Sequence, residues 1–298
     1  MTRKRALLLV NAHSRQGGAD LAAVLAALRE RGVEPVERRF EDCAAIAGIV
    51  EREARDVELV IVGGGDGTLN ASADAIAACG LPLGVLPLGT ANDLARTLGL
   101  PLDLEAACGV IADGVTRRID LGVVNGKRFF NVASLGLGVQ VARRLTGEVK
   151  RRWGVLGYAM ATRDAWRAAR SFRAHVVCDG RATTLRSLHL AVANGRHYGG
   201  GMTAAADAAI DDGQLDLWSL RPMSPWRLVR LLPALRRGDH GADAEVDAMR
   251  GRSILVETER PMPINTDGEL TTRTPARFEV APGALAIFAP PPAVEAAA

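Results

Sequence analysis

A chain of 298 residues, 48% hydrophobic and 24% charged, is long enough to bury one large core or two ordinary ones. Its formal charge of +3 is too mild to mark a nucleic-acid binder, and no run nears the roughly 18 apolar residues that cross a bilayer. Four cysteines, Cys43, Cys79, Cys108 and Cys178, stand far apart with no CxxC pair. They read as reduced thiols of a cytosolic protein rather than a disulfide or zinc framework.

The first apolar run, "RALLLVNA", is too short for a signal-peptide core and reads as a strand ending at Asn11. Leu21, Leu25 and Leu28 then recur at helical spacing, with Gly32 as the stop. "VEPVERRF" reads as a strand and "DCAAIAGIVEREAR" as a helix. After these come the strand "VELVIVGGG", the helix "LNASADAIAACG", the strand "LPLGVLPLGT" and the helix "ANDLARTLGL", closed by Pro101. Strands apolar on both faces and separated by helices predict a parallel, Rossmann-like sheet covered on both sides. Ligands bind such sheets beyond the carboxyl ends of the strands. Asn11, the loop from Gly63 to Thr68 and the pair Gly89-Thr90 all fall on that rim.

The loop "GGGDGT" joins a strand to a helix. Glycines let the backbone approach a phosphate, and a helix N-terminus offers free N–H groups and the positive end of a dipole. No lysine follows the last glycine, so this is not a Walker A loop. Thr68 replaces the third glycine of a dinucleotide fingerprint. Asp66 would repel a bare phosphate, which fits a site that also holds Mg²⁺ or a hydroxyl donor.

Beyond Pro101 the pattern changes to period two with hairpin turns. Asn125-Gly126, Asp179-Gly180, Asn194-Gly195, Asp212-Gly213 and Asp267-Gly268 are read as such turns. The second half is expected to be a largely antiparallel β-sandwich spanning 121–278, with a helical insert over 139–170. The α/β domain then covers 1–120 and is rejoined by the tail 279–298.

Taken in order, "GGGDGT", "LPLGTANDLART", "RRIDLG", "NGRHYGGG", "AAIDDGQLDLW" and "NTDGE" resemble the bacterial diacylglycerol kinase-like lipid kinases, relatives of sphingosine and ceramide kinases. The resemblance runs from about Ala6 to Phe288. The GGDGT run alone is shared with NAD kinases and phosphofructokinases, and the later motifs narrow it to the lipid branch.

The resemblance implies ATP and Mg²⁺ as cofactors and a membrane lipid as acceptor. Gly64, Gly65, Asp66, Gly67, Thr68, Leu69, Asn70 and Ala71 match the ATP-phosphate loop. Gly89, Thr90, Asn92, Asp93 and Arg96 match the second nucleotide motif, and Asn11 and Ser14 the first phosphate-side loop. Asp66, Asp93 and Asp120 match acidic residues that hold catalytic Mg²⁺ through water. Glu269 matches the proton acceptor, with Asp267 beside it. The Asp212 carboxylate and the Ala209 and Gln214 carbonyls match a structural Mg²⁺ site. The chain departs from the family pattern at "NAHSRQGG", where Asn-Pro-x-Ser-Gly is usual, and at Ala71, where Glu is common. The threonine usual near the end of strand two is missing around Arg39-Phe40.

Two stretches have the composition of lipid-facing segments. Val139 to Phe172 carries Arg143, Arg144, Lys150, Arg151, Arg152, Arg163, Arg167 and Arg170 interleaved with Trp153, Tyr158, Trp166 and Phe172, and "PWRLVRLLPALRRG" is a second basic amphipathic piece. Either could rest on an anionic membrane or pack its apolar side on the β domain. The expected protein is cytoplasmic, peripheral to the inner face of the membrane, without a nucleic-acid partner, and with a homodimer left open. Two alternatives remain: a catalytically silent nucleotide-binding regulator, and a soluble-substrate kinase of the NAD kinase type.

Overall fold

The computed structural model describes residues 3–12, 19–139, 170–205 and 207–290. Ser14 and all but the ends of the insert 139–170 lie outside the described residues. The chain divides into two compact units. One is Met1–Leu121 with Gly199–Gly201 and Pro282–Ala298; the other is Gly122–Tyr198 with Met202–Ala281.

The first unit is an α/β layer built on parallel strands. β1 (Lys4–Asn11), β2 (Val33–Phe40), β3 (Leu59–Gly64) and β4 (Leu83–Pro87) run in the order β2-β1-β3-β4, and the end of β18 (Ala276–Phe288) pairs in parallel with β4. Residues alternate across a strand, and here both faces are apolar. Ala6, Leu8, Val10 and Ile61 pack under α1 (Ala19–Glu30) and α5 (Leu104–Asp113) through Leu21, Val24, Leu28, Cys108 and Ile111. Leu7, Leu9, Val60 and Val62 are equally buried. So are Ile46, Ile49 and Val50 of α2 (Ala45–Glu53) and Leu69, Ala73 and Ile76 of α3 (Asp66–Cys79). A short α4 (Asp93–Thr97) precedes α5, and β5 (Thr116–Val124) follows it.

The second unit is an antiparallel sandwich. One sheet has the order β14-β13-β10-β7-β16-β17, formed by Val246–Gly251, Leu215–Leu220, His189–Ala193, Val132–Gly136, Pro263–Thr266 and Glu269–Arg273. The other carries β8 (Phe172–Cys178), β9 (Arg181–Ser187), β15 (Ser253–Thr258) and the beginning of β18, with β6 (Lys127–Phe129) paired to β5. Leu135, Leu190, Val192, Leu217 and Ile264 of the first sheet interleave with Val176, Ile254, Val256 and Phe278 of the second. The outer face of the six-stranded sheet is covered by α6 (Pro225–Arg237), which buries Leu228, Leu231 and Leu235 against Trp218 and Leu220. A two-stranded ribbon pairs β11 (His197–Tyr198) with β12 (Met202–Thr203).

Three of the five predicted hairpins are present. Asn125-Gly126, Asp179-Gly180 and Asp267-Gly268 each place both residues at positive φ, as a type I′ turn requires. The other two expectations are corrected. Asn194 and Gly195 leave β10 with negative or extended φ because their backbone N–H groups donate to the Asn131 carbonyl at 2.7 and 3.0 Å. Asp212-Gly213 joins no paired strands; the Asp212 carboxylate accepts the Gln214 N–H at 2.9 Å and makes a local turn.

Candidate active site

The register Val10↔Gly63 and Gly64↔Pro87 brings the ends of β1, β3 and β4 level. Asn11, the Gly64–Gly65 corner and Gly89 thus share one rim of the first unit. Asn11 Nδ2 donates to Thr68 Oγ1 at 3.3 Å, tying β1 to the first turn of α3. No side chain caps that helix; its N-cap is Gly65, in extended backbone. The first-turn N–H groups of α3 are therefore available to an anion.

The glycines have a second cause that the sequence did not reveal. A Cβ on Gly89 would stand 2.5 Å from Gly65 Cα, so the two loops touch backbone to backbone. Asn92 holds the second loop in place from a left-handed conformation at φ 51°. Its Oδ1 accepts the Gly89 N–H at 3.0 Å, and its Nδ2 donates to the Pro87 and Gly89 carbonyls at 3.2 and 3.0 Å.

Asp66 opens α3 and Asp93 opens α4. The Leu94 N–H donates to Asp66 Oδ1 at 3.2 Å, which links the two helix starts. Burial pushes the Asp66 carboxyl above its ordinary range, and the Asp93 charge pushes it further. Asp93 is only 6% exposed, and burial likewise raises its pKa. Against that burial, the backbone N–H groups of Gly200 and Gly201 donate to its carboxylate at 3.0–3.1 Å. These glycines come from "NGRHYGGG", where Gly199, Gly200 and Gly201 all take positive φ. A run of three glycines was the available signal, but nothing in the sequence named Asp93 as its partner.

The other rim residues are placed as follows. Thr90, Ala71 and Arg96 are exposed, with Arg96 Nε donating to the Ala91 carbonyl at 3.0 Å; Asn70 is half-buried and Leu69 buried on α3. Asp120, on β5, is 4% exposed, and its Oδ1 accepts the Gly283 N–H at 2.7 Å.

Asp267 and Glu269 belong to the second unit, at the turn between β16 and β17. Asp267 is an anchor. Its carboxylate accepts the backbone N–H groups of Phe130, Asn131 and Val132 at 2.7, 2.9 and 3.0 Å. Glu269 is exposed opposite Thr266. Ala209 and Asp212 are exposed and Gln214 half-buried. Among the described residues, no group of three or more His, Cys, Asp or Glu side chains gathers around a metal-sized space.

Comparison with known proteins agrees with this architecture. Residues 5–124 match the diacylglycerol kinase catalytic domain, and residues 131–289 match the YegS C-terminal NAD kinase beta sandwich-like domain. The chain is 34% identical over 290 residues to the Pseudomonas aeruginosa protein named "Probable lipid kinase YegS-like", covering 96% of this chain and 95% of that one. It is 33% identical over 294 residues to the diacylglycerol kinase of Mycobacterium tuberculosis, covering 95% and 94%. A crystal structure of a diacylglycerol kinase from Bacillus anthracis superposes with a TM-score of 0.81 at 25% identity, covering 98% of this chain and 99% of that one.

A parallel α/β unit with a glycine-lined rim, joined to an antiparallel sandwich, defines a kinase of the lipid-phosphorylating class. The chain belongs to the diacylglycerol kinase-like lipid kinase family.

Proposed function

We propose that the protein transfers the γ-phosphoryl group of ATP, with Mg²⁺, to the hydroxyl of diacylglycerol or a related membrane lipid. The observation that carries this reading is the Asp66–Asp93 pair, a half-buried and a buried carboxylate with raised pKa values beside an uncapped helix N-terminus. Two such groups side by side are costly without a cation, and hard oxygen donors suit Mg²⁺. The start of α3, whose N-cap Gly65 makes no side-chain cap, would present its first-turn N–H groups to phosphate oxygens. Bound Mg²⁺ would neutralise charge on the transferring phosphoryl group.

In this reading the first unit binds nucleotide. Asn11, Gly64 to Ala71, Gly89 and Thr90 hold the phosphates, Asn92 shapes the second loop, and Asp66, Asp93 and Asp120 serve the cation through water. The second unit binds lipid, and Glu269 takes the proton of the acceptor hydroxyl. Asp267 fixes the turn from which Glu269 projects. A further Mg²⁺ at Asp212, with the Ala209 and Gln214 carbonyls, would brace the loop before β13.

Binding can be tested apart from turnover. ATP with Mg²⁺ should raise the thermal midpoint of the wild type by several degrees, and Mg²⁺-free ATP should do markedly less. Equal stabilisation with and without the cation would count against the metal-dependent reading.

A further inference from the structure

Six large hydrophobic side chains stand exposed among the described residues, and three of them, Trp226, Val229 and Leu232, lie on α6. With 3.6 residues per turn, Leu228, Leu231 and Leu235 form the stripe that is buried on the sheet. Trp226, Val229 and Pro233 then fall on the opposite side, with Leu232 on its flank. Trp226 is 80% exposed and Val229 55%. This helix is therefore apolar on two sides, and only one of them is covered by the sandwich.

The charge carried by the helix itself is of one sign. α6 carries Arg227, Arg230, Arg236 and Arg237 and no acidic residue. Two of these arginines are engaged: Arg227 pairs with Glu245 and Arg237 with Asp239, both at 3.0 Å. Asp243 lines a hollow beside the helix together with Glu245, Arg227 and Arg230. No ion pair of Arg230 or Arg236 lies among the described residues, and both flank the ridge, one on either side.

We propose that this outward face of α6 docks on an anionic bilayer, with Trp226 and Val229 seated among the headgroups and Arg230 and Arg236 on lipid phosphates. An exposed tryptophan between Arg230 and Arg236, neither ion-paired among the described residues, has the chemistry of an interfacial helix, and the positive flanks complement anionic lipid. The inference rests on the reading that the acceptor is a membrane lipid, and it assigns the surface that brings the enzyme to it.

The test is sedimentation of the full-length protein with phosphatidylglycerol or phosphatidylcholine vesicles, run beside phosphorylation of a dispersed short-chain diacylglycerol. Wild type should partition onto phosphatidylglycerol vesicles and much less onto phosphatidylcholine. The double variant Trp226→Ser/Val229→Ser should lose at least about tenfold in partition, and Arg230→Gln/Arg236→Gln about fivefold per arginine on anionic vesicles only. All variants should phosphorylate the dispersed substrate at the wild-type rate. Undiminished vesicle binding by both double variants would overturn the proposal, as would a wild type that ignores vesicles or pairs through this face in solution. Vesicle binding that depends on α6 in a protein that phosphorylates no lipid would support the docking surface and sink the kinase substrate instead.

Discussion

Asp66 is held in a state that burial and Asp93 both disfavour. A carboxylate whose folded pKa is raised binds protons more tightly when folded. Its contribution to stability is therefore greatest below the ordinary carboxylate value and is lost as pH rises through the raised one. At neutral pH without a cation, the charge on Asp66 works against the fold. Asp66→Asn should accordingly keep or raise the thermal midpoint of the Mg²⁺-free protein at pH 7, while Asp66→Ala or Asn removes nearly all kinase activity. A variant that is less stable and still active would reverse the assignment. His189 gives the opposite slope. Burial pushes its pKa down to about 4 from 6.5, so stability present above pH 6.5 should fall as acid approaches pH 4, by about 3 kcal/mol at most. Urea titrations across that range would measure it, and His189→Gln should flatten the profile. Asp267 and Glu269 should also separate. Asp267→Asn leaves backbone donors facing an amide and should cost about 1.5–3 kcal/mol of stability. Glu269→Gln should leave stability unchanged and collapse kcat, by about 10²- to 10⁴-fold, with ATP binding retained. A loss of turnover in Asp267→Asn alone, with a stable fold, would exchange their roles.

Among the elements, the strand-to-helix loops carry the strictest steric demand. Gly89 approaches Gly65 so closely that Gly89→Ala must displace backbone. It should cost about 3 kcal/mol in chemical denaturation and weaken ATP binding. A tolerated alanine would mean that the loops can separate freely. The same elements show what was legible in the sequence. β2 is found at the eight residues read as a strand, Val33–Phe40, bounded by Gly32 on one side and Glu41-Asp42 on the other. Asn-Gly and Asp-Gly turns were legible where both residues reach positive φ. At Asn194-Gly195 the same letters served another cause: a Cβ on Gly195 would stand 2.5 Å from Asn131 Oδ1, so the glycine accommodates a neighbour. Asn92 was read as a nucleotide contact, and its visible work is to clamp the Gly89 loop. That distinction depends on where two polar atoms point, which residue spacing cannot encode.

At the scale of the whole molecule, the α/β layer and the antiparallel sandwich were both readable from periodicity and from the ordered motifs. The long-range polar links were not. The hold of Gly200 and Gly201 on Asp93 spans more than a hundred residues, and so does the hold of Phe130 to Val132 on Asp267. Each joins a carboxylate to backbone N–H groups, which every residue but proline owns, so no side-chain pattern announces them. The acceptor of the phosphoryl group is what separates a lipid kinase from its alternatives. The most direct measurement is incubation with γ-labelled ATP and Mg²⁺ in the presence of diacylglycerol, phosphatidylglycerol, sphingosine and NAD together. Label should appear in a lipid, with diacylglycerol converted to phosphatidic acid, and should vanish with Asp66→Ala. Label confined to NAD, or no transfer by a folded protein that binds ATP, would contradict the lipid kinase reading.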